Sequence, residues 1–146
     1  MNAPWNAPDS SPSFVLRVAG PSSCCVVKIR IARHTDRLEE VVAFYRDRVG
    51  LPEIGRFRKH DGYDGVLLGI PGTGAHLELT TGGDHRAPEP HPESLIVLYF
   101  ESRGELEETA ARIAQPMVAT ANPYWQANAR AYTDPDGFLL LLALGA

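Results

Sequence analysis

The sequence predicts an α+β fold built from two βαβββ modules, and three observations predict it. The hydrophobic period switches from two to about 3.6 and back, and does so twice. Each helical stretch has a polar start and a Gly or Pro stop. The element order of residues 25–81 returns over residues 94–144, and a repeated order of elements is the signature of a duplicated unit.

The first module opens at Val26 to Ala32, where Lys28 and Arg30 alternate with Val27, Ile29 and Ile31, the pattern of a half-buried strand with the aliphatic side chains inward. Leu38, Val41, Val42, Tyr45 and Val49 then fall at helical spacing. Asp36 and Glu39 stand at capping-box separation and Gly50 supplies the stop. Strands are expected at Glu53 to Lys59, Tyr63 to Ile70 and Ala75 to Thr81. The turns between them are His60-Asp61-Gly62 and Pro71-Gly72-Thr73-Gly74.

The second module starts after the Gly82 to Pro92 loop. Leu95 to Phe100 reads as an apolar strand. Ser102 and Glu105 form another capping box, and Leu106, Ala110 and Ile113 mark a second amphipathic helix ending before Pro116. Strands are expected at Met117 to Thr120, Ala129 to Thr133 and Phe138 to Leu144, the last two joined by the Asp134-Pro135-Asp136-Gly137 turn.

At 146 residues the chain suits one domain with a sizeable core, here assigned to 25–146. Residues 1–24, with Pro4, Pro8, Pro12 and Pro21 among Ser and Gly, read as a loosely ordered tail on which Phe14-Val15-Leu16 could dock. No apolar run approaches the ~18 residues of a membrane span, so no membrane role is expected. A formal net charge of −4 argues against general nucleic-acid binding, although residues 25 to 60 carry nine Lys/Arg against five Asp/Glu. The two cysteines, Cys24 and Cys25, are adjacent and suggest neither a disulfide framework nor a zinc site, so a reducing cytoplasm is the expected compartment.

Candidate chemistry centres on Gly74-Ala75-His76-Leu77-Glu78-Leu79-Thr80-Thr81. In a strand, His76 and Glu78 share one face and Leu77 and Leu79 the other. Either that face meets water or it lines a cavity. No Gly-x-Ser-x-Gly, Gly-x-Gly-x-x-Gly or Walker-type loop accompanies it. His60, His85 and His91 read as exposed loop histidines. Tyr63, Tyr124 and Trp125 are either sheet-edge packing or ligand-stacking groups. If they line a cavity together with Tyr99, Leu139 and Leu141, it is apolar and aromatic with a few polar anchors, the general makeup of a small-molecule pocket.

Phe44-Tyr45-Arg46-Asp47-Arg48-Val49-Gly50-Leu51, His76-Leu77-Glu78-Leu79-Thr80, and Pro123-Tyr124-Trp125 followed by Arg130 and the Asp-Pro-Asp-Gly turn resemble three segments of the vicinal-oxygen-chelate superfamily. That superfamily includes glyoxalase I, extradiol dioxygenases, fosfomycin-resistance enzymes and bleomycin-binding proteins. The resemblance, spanning Cys25 to Leu144, implies a cup-shaped mixed sheet around a small-molecule site, and a homodimer in many members. It also implies a divalent ion held by His and Glu from the first and last strand of each module. Glu78 matches one such position. Arg30 falls at the first-strand position, Ser94 to Leu98 offer no ligand, and Leu141 falls at the last. A guanidinium cannot shed its proton to ligate a metal.

Two functions follow as expectations. One is metal-independent binding of a small, partly aromatic compound, without a cofactor, in which an Arg30–Glu78 ion pair stands where the metal would be. If that pair is buried, breaking it should destabilise the fold by roughly 3 to 5 kcal/mol. The other is a glyoxalase- or dioxygenase-like lyase or isomerase. It would use a divalent site rebuilt from His76, Glu78 and His91, or acid–base chemistry by Glu78 and His76 with Arg30 beside them.

Overall fold

The computed structural model describes residues 28 to 145. The expected tail at 1–24, its Phe14-Val15-Leu16 segment, both cysteines and the start of the first predicted strand lie outside the described residues. Within them the order is β1 (Arg30–His34), α1 (Leu38–Ala43) running on as a π-helical segment (Phe44–Val49), β2 (Glu53–His60), β3 (Tyr63–Gly69), β4 (His76–Gly82), β5 (Leu95–Phe100), α2 (Arg103–Ile113), α3 (Pro123–Asn128), β6 (Ala129–Thr133) and β7 (Leu139–Leu144). No helix among the described residues is long and apolar enough to cross a membrane.

The strands form two mixed sheets, ordered β1-β4-β3-β2 and β5-β7-β6. In each, the module's first strand lies parallel beside its last, and the remaining pairs are antiparallel. Parallel pairing needs a crossover, which α1 and α2 supply. Their apolar faces and one face of each sheet enclose a single shared core: Val41, Val42 and Tyr45 from the first helix, Ile113 from the second, Leu68 and Leu79 from one sheet, Leu140 and Leu142 from the other. The two helix ends cap one another. Arg48 Nη1 donates to the Ile113 carbonyl (3.3 Å), and Arg112 donates to the Arg48 and Val49 carbonyls (both 3.2 Å). These are the orphan acceptors that every helix C-terminus leaves.

Four local expectations are corrected. The first helix starts at Leu38 with Arg37 at the cap position, without a side-chain cap. Glu39 turns instead to the Arg56 guanidinium, while Thr35 Oγ1 accepts from Arg37 N (3.0 Å). That helix is also not α-helical throughout: Gly50 N, at φ +97°, bonds Tyr45 O at 3.0 Å, the wider π-type closure. Ile29 and Ile31, expected inward, are 55% and 58% exposed, and among the described residues β1 is an edge strand of its sheet.

The fourth correction is in the second module. Met117 to Thr120 does not form a strand; Val118 N bonds Ala131 O (2.9 Å), but Thr120 N, which a strand would also offer to β6, donates to Gln126 Oε1 (2.9 Å). The helix α3, unforeseen in the sequence, supplies that glutamine. The Ser102–Glu105 cap forms as expected, with Ser102 Oγ accepting from Glu105 N at 3.2 Å.

One polar cluster ties the modules together. Asp134, in the turn before β7, accepts four hydrogen bonds. Its Oδ2 takes Arg33 Nη2 (2.6 Å) and the Tyr45 hydroxyl (2.8 Å), and its Oδ1 takes the backbone N–H of Asp136 (2.9 Å) and of Phe138 (3.1 Å). The Arg33 guanidinium also lies 4.2 Å from the centre of the Phe138 ring, within cation–π range. Burial, reinforced by the Asp134 carboxylate, pushes the Tyr45 hydroxyl far above its ordinary pKa, so it stays protonated and donating.

Candidate functional site

On the face of the first sheet turned away from the core, alternation brings Arg30, Ala32 and His34 of β1 alongside His76, Glu78 and Thr80 of β4, with Tyr63, Gly65 and Leu67 of β3 beyond. A cavity of about 650 Å³ opens there, lined by Arg30, Glu78, Thr80, Leu67, Tyr63 and Phe57, with His60 and Asp61 at one side. Phe57 packs over Gly65, where a Cβ would collide with its ring; the glycine lets an aromatic wall sit directly on the sheet.

Arg30 and Glu78 meet as expected. Arg30 is in register with His76 and reaches diagonally along β4, so that Nη1 lies 2.7 Å from Glu78 Oε2. The pair is lopsided: the Glu78 side chain is 10% exposed, the Arg30 side chain 59%. A pair with one partner so open to water is screened, so the 3 to 5 kcal/mol expected of a buried pair is corrected to about 1 kcal/mol. Among the described residues Glu78 is the one hydrogen-bond partner of this guanidinium, which has further N–H donors.

The other sequence-derived residues disperse. His76 shares the face of Glu78 but lines a different cavity, beside Pro52 and Ile54. His91 stays in its loop, where Nδ1 accepts from Glu93 N (3.1 Å), and does not join His76 and Glu78. Tyr99, Tyr124 and Trp125 line a separate cavity on the second module. Leu141 is fully buried, paired with Val97 and Ala131, and neither it nor half-buried Leu139 lines the Arg30 cavity.

Sequence reasoning missed His34. His34 is the third member of the Arg30, Ala32, His34 alternation, a signal the sequence contained. Its ring lies 6.5 Å from Tyr63 and 6.4 Å from His85, and His85 stacks on Tyr63 at 6.4 Å. His60 and His85 are exposed, as expected, and His85 lies in a loop; His60, the last residue of β2, also lines the cavity.

Of the positions at which the family resemblance implies metal ligands, only Glu78 carries a metal-donor side chain. Across from Glu78 stands Ala32, its diagonal neighbour is Arg30, β5 contributes only aliphatic and aromatic side chains, and Leu141 is buried. Among the described residues no three His, Cys, Asp or Glu side chains gather where they could hold a metal.

Two mixed sheets, each made of a strand, a crossover helix and further strands, with a small-molecule-sized cavity on the open face of one, define a protein of the glyoxalase/bleomycin-resistance/dioxygenase fold, the vicinal-oxygen-chelate superfamily. Glyoxalase I of Leishmania major shares it at TM-score 0.58 and 20% identity, over 81% of this chain and 86% of that one. TnmS3, an antibiotic-binding protein from Streptomyces sp. CB03234, shares it at TM-score 0.59 and 17% identity, over 85% and 100%.

Within that class the chain belongs to the YycE-like family. Residues 29–80 match the YycE-like N-terminal domain and residues 93–143 the YycE-like C-terminal domain. The uncharacterized protein YycE of Bacillus subtilis (strain 168) is 40% identical over 124 residues, 82% of this chain and 89% of the relative. The crystal structure of a Bacillus subtilis YycE protein of unknown function superposes at TM-score 0.76 with 37% identity, over 83% of this chain and 91% of that one.

Proposed function

We propose that this protein binds a small, partly aromatic compound without a metal, in the cavity between Arg30, Glu78 and the Phe57–Tyr63 wall. The observation that carries the reading is the Arg30–Glu78 pair. It supplies hydrogen-bond donors beside a carboxylate at the position where the family resemblance implies a metal ligand. Phe57, Tyr63 and Leu67 offer the apolar surface that drives entry, and the pair offers anchors for the ligand's oxygens. The antibiotic-binding role of TnmS3 lends support, since it is a binding function on the same fold.

The reading includes a homodimer. Among the described residues β1 and β5 are each hydrogen-bonded to a strand on one side only, and β1 presents Ile31 and the adjoining Ile29 to water. A bare sheet edge carrying exposed aliphatic side chains is a pairing surface that a second copy can cover.

A ligand-observed NMR screen of aromatic fragments bearing hydroxyl, carbonyl or carboxylate groups, run in excess chelator, tests the binding. Hits whose signals are lost with Phe57→Ala and weakened with Arg30→Met support the proposal. Hits that appear only after a divalent ion is added, or that ignore both substitutions, overturn it.

A further inference from the structure

The second module carries a cavity of about 380 Å³ that the Arg30–Glu78 site does not use. Tyr99, Tyr124 and Trp125 stand around it, with ring centres 4.9 Å apart for Tyr124 and Trp125 and 6.5 Å for Tyr99 and Trp125. Tyr99 is 63% exposed and Tyr124 61% exposed, so these rings are not serving the core.

The element that presents two of them has no core role either. None of the residues of α3 is buried. The helix is nevertheless cross-tied by side chains: Asn122 Oδ1 accepts from Tyr124 N (2.9 Å), Asn128 Nδ2 donates to the Tyr124 carbonyl (2.8 Å), and Gln126 Oε1 accepts from Thr120 N (2.9 Å). These bonds preorganise a short surface helix that would otherwise fray, and so fix the backbone that carries Tyr124 and Trp125.

Charge says what kind of molecule the rings receive. The chain as a whole is acidic, at −4, yet this cavity is lined by two guanidinium groups, Arg103 and Arg130, and by no acidic residue. Arg130 is held by Glu107, which stands outside the lining. Among the described residues no carboxylate lies within ion-pairing distance of Arg103. The Arg30 cavity is the opposite case, because there Glu78 already balances the arginine. An aromatic cluster beside an uncompensated guanidinium suits a flat π-system carrying a negative group: the rings take its faces and Arg103 its oxygens.

We propose that the Tyr99–Tyr124–Trp125–Arg103 cavity is a second binding site, separate from the Arg30–Glu78 cavity, for a planar aromatic anion. The reading stands on its own residues and does not require the first site to be occupied.

The test compares 2-naphthoate with its neutral counterpart 2-naphthylmethanol by calorimetry. Both titrations are repeated by fluorescence in a Trp5→Phe background, which leaves Trp125 as the only indole in the chain. Saturable naphthoate binding that changes Trp125 emission and is about tenfold tighter than binding of the alcohol is expected. Arg103→Met should erase that preference, Arg103→Lys should restore part of it, and Trp125→Leu should abolish binding of both compounds. No saturable heat, saturation without a change in Trp125 emission, or equal affinity for acid and alcohol would overturn the proposal.

Discussion

Asp134 and Arg33, 101 positions apart in the chain, form a 2.6 Å hydrogen-bonded ion pair that fastens the turn before β7 to the first strand of the other module. Asp134 is wholly buried there and Arg33 nearly so. Removing Arg33 leaves a lone Asp134 carboxylate in the interior, and neutralising Asp134 leaves Arg33 only the more distant Asp136, at 3.9 Å. Arg33→Met or Asp134→Asn should therefore each lower unfolding stability by about 3 to 5 kcal/mol, measured by urea denaturation. A loss under 1 kcal/mol in both would show that the modules are held by the apolar core alone.

Tyr45 donates to the same carboxylate, and burial holds its hydroxyl well above the ordinary 10.0. The raised value means that the folded state keeps this proton when the unfolded chain has lost it. The resulting stability is fully present below pH ~10 and falls as pH rises beyond that point. Tyr45→Phe should cost about 1.5 to 3 kcal/mol at pH 7, the range for a hydrogen bond to a charged group. It should also flatten the decline of stability between pH 10 and 11. An unchanged alkaline slope would place the sensitivity elsewhere.

Much of the fold was legible because it rests on local rules. β5 and β6 form with the predicted bounds, and β2, β3, β4 and β7 within one residue, because alternation and turn chemistry are properties of neighbouring residues. The Ser102 cap formed for the same reason. Failures arose where a distant residue decides: Arg56 claims Glu39 from the expected cap, and Gln126 diverts the Thr120 N–H from a fourth strand. The site behaved likewise. Position within the family-like strand pair was enough to bring Arg30 to Glu78, but how exposed that pair is, and that Tyr99 and Trp125 line another cavity, depend on how whole sheets are placed.

Gly65 should be intolerant of a side chain for a reason visible only in the fold. A Cβ there would strike the Phe57 ring, so Gly65→Ala should destabilise by about 1 to 3 kcal/mol through overpacking. The Gly65→Ala, Phe57→Ala double variant should lose less than the sum of the two single losses, as contacting residues do. Simple additivity would mean that the ring moves aside without resistance.

Assembly is testable by light scattering. The dimer reading expects twice the 16.0 kDa chain mass at micromolar concentration. Ile31→Glu, which places a charge on the open edge of β1, should shift the mass to that of one chain. A wild-type protein already at the single-chain mass would contradict the dimer, as would an Ile31→Glu variant that stays at twice that mass.

The central claim is that an arginine stands where the family resemblance implies a ligand to a divalent ion. Its most direct test is the metal content, by inductively coupled plasma mass spectrometry, of protein purified without chelator or metal-affinity tag, compared with Glu78→Ala. The account predicts far less than one Fe, Mn, Ni or Zn per chain in the wild-type protein, and no change with the substitution. One equivalent of any of these metals that disappears with Glu78→Ala would contradict it.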